Sequence, residues 1–394
     1  MRRRGGLPTL VALLLGLVWA LGVPLVRGLD SPFGNWQPDE ISHVLTVRWW
    51  AAHTRLPPYN LEYGVSVHPP LYHMVGALFW RLGGPLAVRV FSVLLGALTV
   101  WMTFRATRAL YGRQVGELAA WLVALVPMRA SLSGGMSNEN LAALAAAAFF
   151  AALAEVLRGR RRVGELALWC AVGVGSKLTC LGLFPAVFLA LVWRFGRKKA
   201  TKVTLAILLT SVVAMGWWFL ANVSRCGDAL CKASADRLWD RIQPGYERFR
   251  VELKWGPPRY AFYVASWCWR SFWGSFNGFL EHLPMPLFVS LLFWQTAALW
   301  GARRRGRSRA RRAWLIAGGI FFLTTSVLVL IFNWRHYSAQ GRYFYVILAP
   351  FGAITGYGYL ALFPPKGRKR AAQGLVAALI ALNLWCLWHY LPGS

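Results

Sequence analysis

The chain has 394 residues, 57% of them hydrophobic, with 22 Trp; 44 Lys and Arg against 14 Asp and Glu give a formal net charge of +30. A mean hydropathy of +0.43 with that composition excludes an ordinary soluble globular domain and points to an integral membrane protein. The basic residues fall in short clusters between apolar runs of spanning length, so the charge reports membrane topology rather than nucleic-acid binding.

In chain order, apolar spans are expected at about 7–27, 85–105, 117–134, 139–157, 163–175, 178–194, 203–222, 284–301, 313–332, 342–363 and 371–390. MRRR precedes the first apolar run, Leu7 to about Val26, which has no small-residue cleavage site and reads as a retained helix. The stretch from Val163 to Arg194 is too long for one span and short for two, given a rise of ~1.5 Å per residue. Basic residues at both of its ends predict two short spans meeting at Gly175-Ser176-Lys177, with Lys177 at the tip of the hairpin.

Six basic clusters punctuate the spans: Arg2 to Arg4, Arg105 to Arg113, Arg158 to Arg162, Arg194 to Lys202, Arg303 to Arg312 and Lys366 to Arg370. Eleven crossings with the N-terminus inside put every cluster on the cytoplasmic side and the C-terminus outside. Of the 14 acidic residues, only Glu117, Glu155 and Glu165 then lie inside, so the carboxylate chemistry belongs to the outer face.

Two outer segments, 28–84 and 223–283, are too long to be simple connections within this one polytopic domain, 1–394. The first holds two amphipathic stretches, Asp39 to His53 and Pro69 to Leu82, expected to lie in the membrane interface. The second is rich in Arg, Trp, Tyr and Phe, a composition suited to the headgroup level. Within it, Cys226 and Cys231 stand close enough for a local disulfide, with free thiols as the other reading.

The order of motifs resembles the protein O-mannosyltransferases and the aminoarabinose and related polyprenyl-sugar transferases of the GT-C superfamily, most of all an uncharacterised bacterial branch. The matching stretches are the Asp-Glu pair in PDEISH, HPPLYH from His68 to His73, Arg89 in RVFSVLLGAL and SNENLAALAAA after the third span. They continue with the Lys177 hairpin, SFWGSFNG from Ser271 to Gly278 and AQGRYFYVILAP from Ala339 to Pro350. The large soluble domain that some relatives carry after the last span has no counterpart in this sequence.

The resemblance implies an all-α membrane bundle with interfacial helices in the first outer loop, sited in a bacterial inner membrane. It also implies an enzyme that takes a sugar from a polyprenyl-phosphate carrier and passes it to a glycan, lipid or protein acceptor outside. Sugar transfer from a phosphate passes through an oxocarbenium-like state. It therefore needs a carboxylate to deprotonate the acceptor and cations to hold the leaving phosphate. Asp39 is the candidate base and Glu40 its catalytic neighbour. His43, His68, Arg89, Lys177, Arg259, Arg270, Arg342 and Tyr343 are the candidate substrate-binding residues.

Each has a plainer reading: acids after Pro38 suit the first turn of a helix, and outer arginines can snorkel to the headgroups. His43, four residues after Asp39, is expected to bond a carboxylate or a headgroup. A divalent metal bridged by Asp39 and a histidine is a further option, although one helix offers few ligands. Two other functions fit the composition, a flippase of a lipid-linked glycan and a non-catalytic lipid-glycan-binding subunit. Charges at outer helix ends rather than at mid-bilayer favour the transferase over the flippase.

Overall fold

The structure of the protein, a computed structural model, describes residues 5–23, 39–60, 62–160, 162–240, 242–303 and 308–391. Arg2 to Arg4, Pro38, Arg161 and the middle of the cluster at 303–312 lie outside the described residues, as does the start of the first outer segment.

Helix α1 (Gly6–Gly22) precedes α2 (Glu40–Ala52). Then come α3 (Leu71–Tyr111), α4 (Arg113–Ala124), α5 (Pro127–Ser133), α6 (Asn138–Leu157), α7 (Val163–Ser176), α8 (Leu183–Phe195) and α9 (Arg197–Cys226). The second outer segment forms α10 (Lys232–Trp239), α11 (Tyr246–Leu253) and α12 (Pro257–Trp273). The last four are α13 (Met285–Arg303), α14 (Arg309–Arg335), α15 (Leu348–Ala361) and α16 (Arg368–Tyr390). One short antiparallel pairing, Ser275 with His282 and Phe276 with Glu281, follows α12.

Among the described residues, eight helices are long and apolar enough to cross a membrane, and the bent pair α4 and α5 makes a ninth. Two shorter apolar helices, α1 and α7, complete the set. Each of the eleven apolar segments read from the sequence falls on one of these units, and the chain is a multi-pass integral membrane protein. The segment expected as one span at 117–134 is bent by 68°. Pro127 opens the second half, because its ring fits a helix start and cannot continue a preceding helix.

The stretch from Pro69 to Leu82, expected as an interfacial helix, runs into the next span and is broken from it at Gly83-Gly84. Gly84 has φ 63° and ψ −154°, a conformation open essentially to glycine alone. Helix α6 is the hub: 94% of its apolar window is buried, and its alanines let neighbouring helices approach closely. Helix α16, with 17% buried, turns most of its side chains to the lipid. Cys226 and Cys231 form a disulfide just after α9.

Candidate active site

Where α2 and α6 begin and α7 ends, the chain gathers buried charges, with Arg89 of α3 beside them. Asp39 immediately precedes α2 with φ 61°, a left-handed conformation that Asp tolerates better than most residues. That turn sends Asp39 and Glu40 in different directions. The Asp39 side chain is 50% exposed and its Oδ2 accepts from Arg342 Nη2, whose own side chain is 2% exposed.

Glu40 is buried and takes a two-pronged bond from Arg89, at 2.9 Å from Nε and 2.8 Å from Nη2. It also accepts the Met136 N–H at 3.0 Å, while Arg89 Nη1 donates to the carbonyls of Ala20 and Val23 at 3.1 and 2.6 Å. This pair therefore ties the end of α1 and the start of α2 to the part of α3 beyond Gly84 and to the turn before α6. Both members are buried and hydrogen-bonded to each other, and Glu40 directly follows Asp39.

The centre of the cluster is Glu139, which was not among the residues singled out from the sequence. Lys177 Nζ donates to its Oε1 at 2.5 Å, Arg342 Nε lies 3.6 Å from the same oxygen, and the Ser137 hydroxyl donates to Oε2. The SNEN stretch builds this corner residue by residue. The Ser137 side chain caps α6 at the Glu139 N–H, Asn138 donates to the Ser176 carbonyl beside Lys177, and Asn140 holds the turn at Leu132. The available signal was an acid in the first turn of a helix whose next fourteen residues after Asn140 are all Ala, Leu or Phe.

Arg342 is seated by its neighbour. The Gly341 N–H donates to Ser271 Oγ at 2.8 Å, and a Cβ at Gly341 would run into the backbone of Phe272 and Cys268. Only glycine lets this segment press so closely on α12. Tyr343 offers its ring to both cations, with Lys177 Nζ 4.8 Å and Arg342 Cζ 5.7 Å from the centroid, and its hydroxyl meets Ser338 at 3.0 Å.

Histidines line the same space. His43 Nδ1 bonds His73 Nε2 at 2.9 Å instead of the expected carboxylate or headgroup. Burial lowers His43 to about 3, with Glu139 opposing and Arg342 adding to the shift. Burial likewise lowers His68 to about 4, reinforced by Lys177, so both rings are neutral near pH 7.

Arg259 and Arg270 are placed differently. Arg259 is exposed and stacks on Trp255 at 4.8 Å, and Arg270 lies against Trp267 at 4.5 Å and Phe288 at 5.4 Å. Both lie against aromatic rings, Arg259 within α12 and its lead-in and Arg270 between α12 and α13.

The donor set does not fit a divalent metal. Asp39 faces Arg342, Glu139 faces Lys177, and His43 and His73 bond each other. Among the described residues no group of three or more His, Cys, Asp or Glu is arranged to hold one.

This geometry sits in a bundle with known counterparts. Apo ArnT from Cupriavidus metallidurans aligns with 97% of this chain at a TM-score of 0.59 and 16% identity, and its form bound to undecaprenyl phosphate does so at 0.60 and 17%. The chain shares the fold of ArnT. It spans 64% of the length of ArnT. The oligosaccharyltransferase of Archaeoglobus fulgidus, tethered to an acceptor peptide, aligns with 96% of the chain and 54% of its own length at a TM-score of 0.52 and 14% identity. Residues 67–218 match the family model of dolichyl-phosphate-mannose-protein mannosyltransferases. No curated protein matches the chain.

Proposed function

We propose that the chain transfers a sugar from a polyprenyl-phosphate carrier to an acceptor at the membrane face bearing Asp39. The observation that carries this reading is the run Asp39, Arg342, Glu139 and Lys177: a half-exposed carboxylate beside two buried cations that share a second carboxylate. The likeness to ArnT, crystallised with undecaprenyl phosphate, supports that class of carrier. The basic clusters make this face extracytoplasmic, with eleven crossings, the N-terminus inside and the C-terminus outside.

The residues divide the work. The donor phosphate settles on Arg342 and Lys177, where little water competes for their charge. In doing so it takes Arg342 from Asp39 and frees that carboxylate. As the anomeric C–O bond to phosphate breaks, the acceptor oxygen bonds to the anomeric carbon, and its proton passes to Asp39. The electron pair leaves with the polyprenyl phosphate, whose charge the two cations hold. Glu139 keeps Lys177 aimed, and Tyr343 keeps both cations on one side of its ring.

Asp39→Asn preserves shape and the left-handed turn but removes the basic oxygen. With purified protein and a polyprenyl-phosphate sugar donor, turnover should fall roughly a hundredfold or more while donor binding persists. Full activity in the Asn variant would refute the assignment. A non-catalytic lipid-glycan-binding subunit would bind the donor with or without the substitution and yield no product in either form.

A further inference from the structure

At the end of the bundle opposite Asp39, three helices begin around one cavity of about 600 Å³. Arg113 starts α4, Arg311 lies in the first turn of α14, and Arg368 starts α16; Tyr111, Tyr357 and Gln114 complete the wall. The sidedness follows from the chain itself: α3 runs from Tyr72 beside the Glu139 corner to Tyr111, and the segment that begins with Arg342 ends near Leu360.

This arrangement opposes ordinary helix electrostatics. A helix start carries partial positive charge and favours an acid, yet none of these three first turns contains one and each contains an arginine. Neither α4 nor α16 has a side-chain cap, so N–H groups of their first turns remain unsatisfied by the helix.

The arginines are also held in place. Arg311 Nε donates to the Leu110 carbonyl at 2.6 Å and its guanidinium lies 5.4 Å from the Tyr111 ring centroid. Arg368 Nε donates to the Phe363 carbonyl at 3.2 Å. Among the described residues neither pairs with a carboxylate, and Glu117 offsets only Arg113, at 2.7 Å. Fixed guanidiniums, uncapped helix starts and a cavity between them have the makings of an anion site.

We propose that this cavity binds a phosphate-bearing anion between Arg311 and Arg368. The site stands apart from the sugar-transfer reading. Its ligand is either an anionic lipid headgroup of the adjacent leaflet or a soluble phosphate compound.

The test uses the full chain in detergent. Thermal unfolding is followed with phosphatidylglycerol against phosphatidylcholine, and separately with inorganic phosphate against chloride at equal ionic strength. Three proteins are compared: the wild type, Arg311→Gln/Arg368→Gln, and Lys198→Gln/Lys199→Gln. The last loses the same charge from an exposed cluster elsewhere.

Phosphatidylglycerol should raise Tm by about 3 °C or more in the wild type and the lysine variant but not in the arginine variant, which assigns a lipid headgroup. The same pattern with inorganic phosphate assigns a soluble ligand. No rise in the wild type with either anion, or an equal rise in the arginine variant, overturns the site. Should the double variant fail to accumulate, Arg368→Gln alone must lose at least half of the shift, and a full shift there overturns the site equally.

Discussion

Where the segment 28–84 meets α3, the Arg89–Glu40 pair is 2% and 11% exposed, whereas within 223–283 the Arg250–Glu247 pair is 57% and 68% exposed. The two pairs use the same chemical groups. The first is enclosed by carbonyls and an amide that use up its remaining hydrogen-bonding capacity, and it joins three helices. The second links one turn of α11 to itself. Local spacing explains the exposed pair, since residues three apart on a helix meet anyway. The buried pair has no local reason, and its existence depends on the whole bundle being assembled around it.

The largest effect should come from breaking the buried pair. Arg89→Ala leaves the Glu40 charge enclosed and unpaired and should cost about 3–5 kcal/mol, read as loss of folded protein or a large drop in Tm. Glu40→Gln combined with Arg89→Met should be less harmful than the sum of the two single changes. If Arg89→Ala instead folds with an unchanged Tm and loses only donor affinity, the pair belongs to the binding machinery and the contrast between the segments collapses.

Lys177→Gln sharpens the division between holding a site and acting in it. Loss of one charged contact to the donor phosphate should weaken donor binding by roughly ten- to a hundredfold. Binding titrations with the lipid donor check this, and unchanged affinity would remove Lys177 from the phosphate site.

A smaller effect follows from the neutral histidines of the first segment. His68 ionises near 6.5 when unfolded but at about 4 when folded, and His43 at about 3. Below about pH 6.5 the unfolded chain takes up protons that the folded chain refuses, so stability declines with falling pH down to the folded values. His68→Gln should flatten part of this decline in Tm between about pH 6.5 and 4. A parallel profile would mean that His68 is solvated in the working protein.

The exposed pair supplies the lower bound. Arg250→Gln with Glu247→Gln should leave Tm and turnover unchanged, as surface pairs generally do. A measurable loss would show that α11 docks on something beyond itself.

Much of this was legible in the sequence, because apolar length and basic flanks are local signals. Both located the eleven apolar helical units and the Lys177 hairpin. The break at Gly83-Gly84 and the bend at Pro127 follow from backbone chemistry, yet the sequence reading marked neither, giving a separate interfacial helix in one case and a single span in the other. What stayed hidden was pairing. Arg89 resembles a phosphate ligand until Glu40, 49 residues away, is seen to occupy it. Glu139 was overlooked because its charged partners, Lys177 and Arg342, lie far away in sequence. Arg259 and Arg270 drew notice as outer cations, and only their contacts reveal that they serve the aromatic surface.

The close seat of Gly341 on α12 carries a last consequence. Helix α12 carries the Trp- and Tyr-rich stretch that favours the headgroup level, and Gly341 presses on it directly beside Arg342. The guanidinium proposed to receive the phosphate is thus registered to α12 and shares whatever depth that helix takes. On the proposed reading the aromatic segment would act as a depth gauge, setting how far a lipid-borne headgroup must rise before it meets the carboxylate. Bilayers of different thickness should therefore change the rate of transfer without altering a single contact among the charged residues.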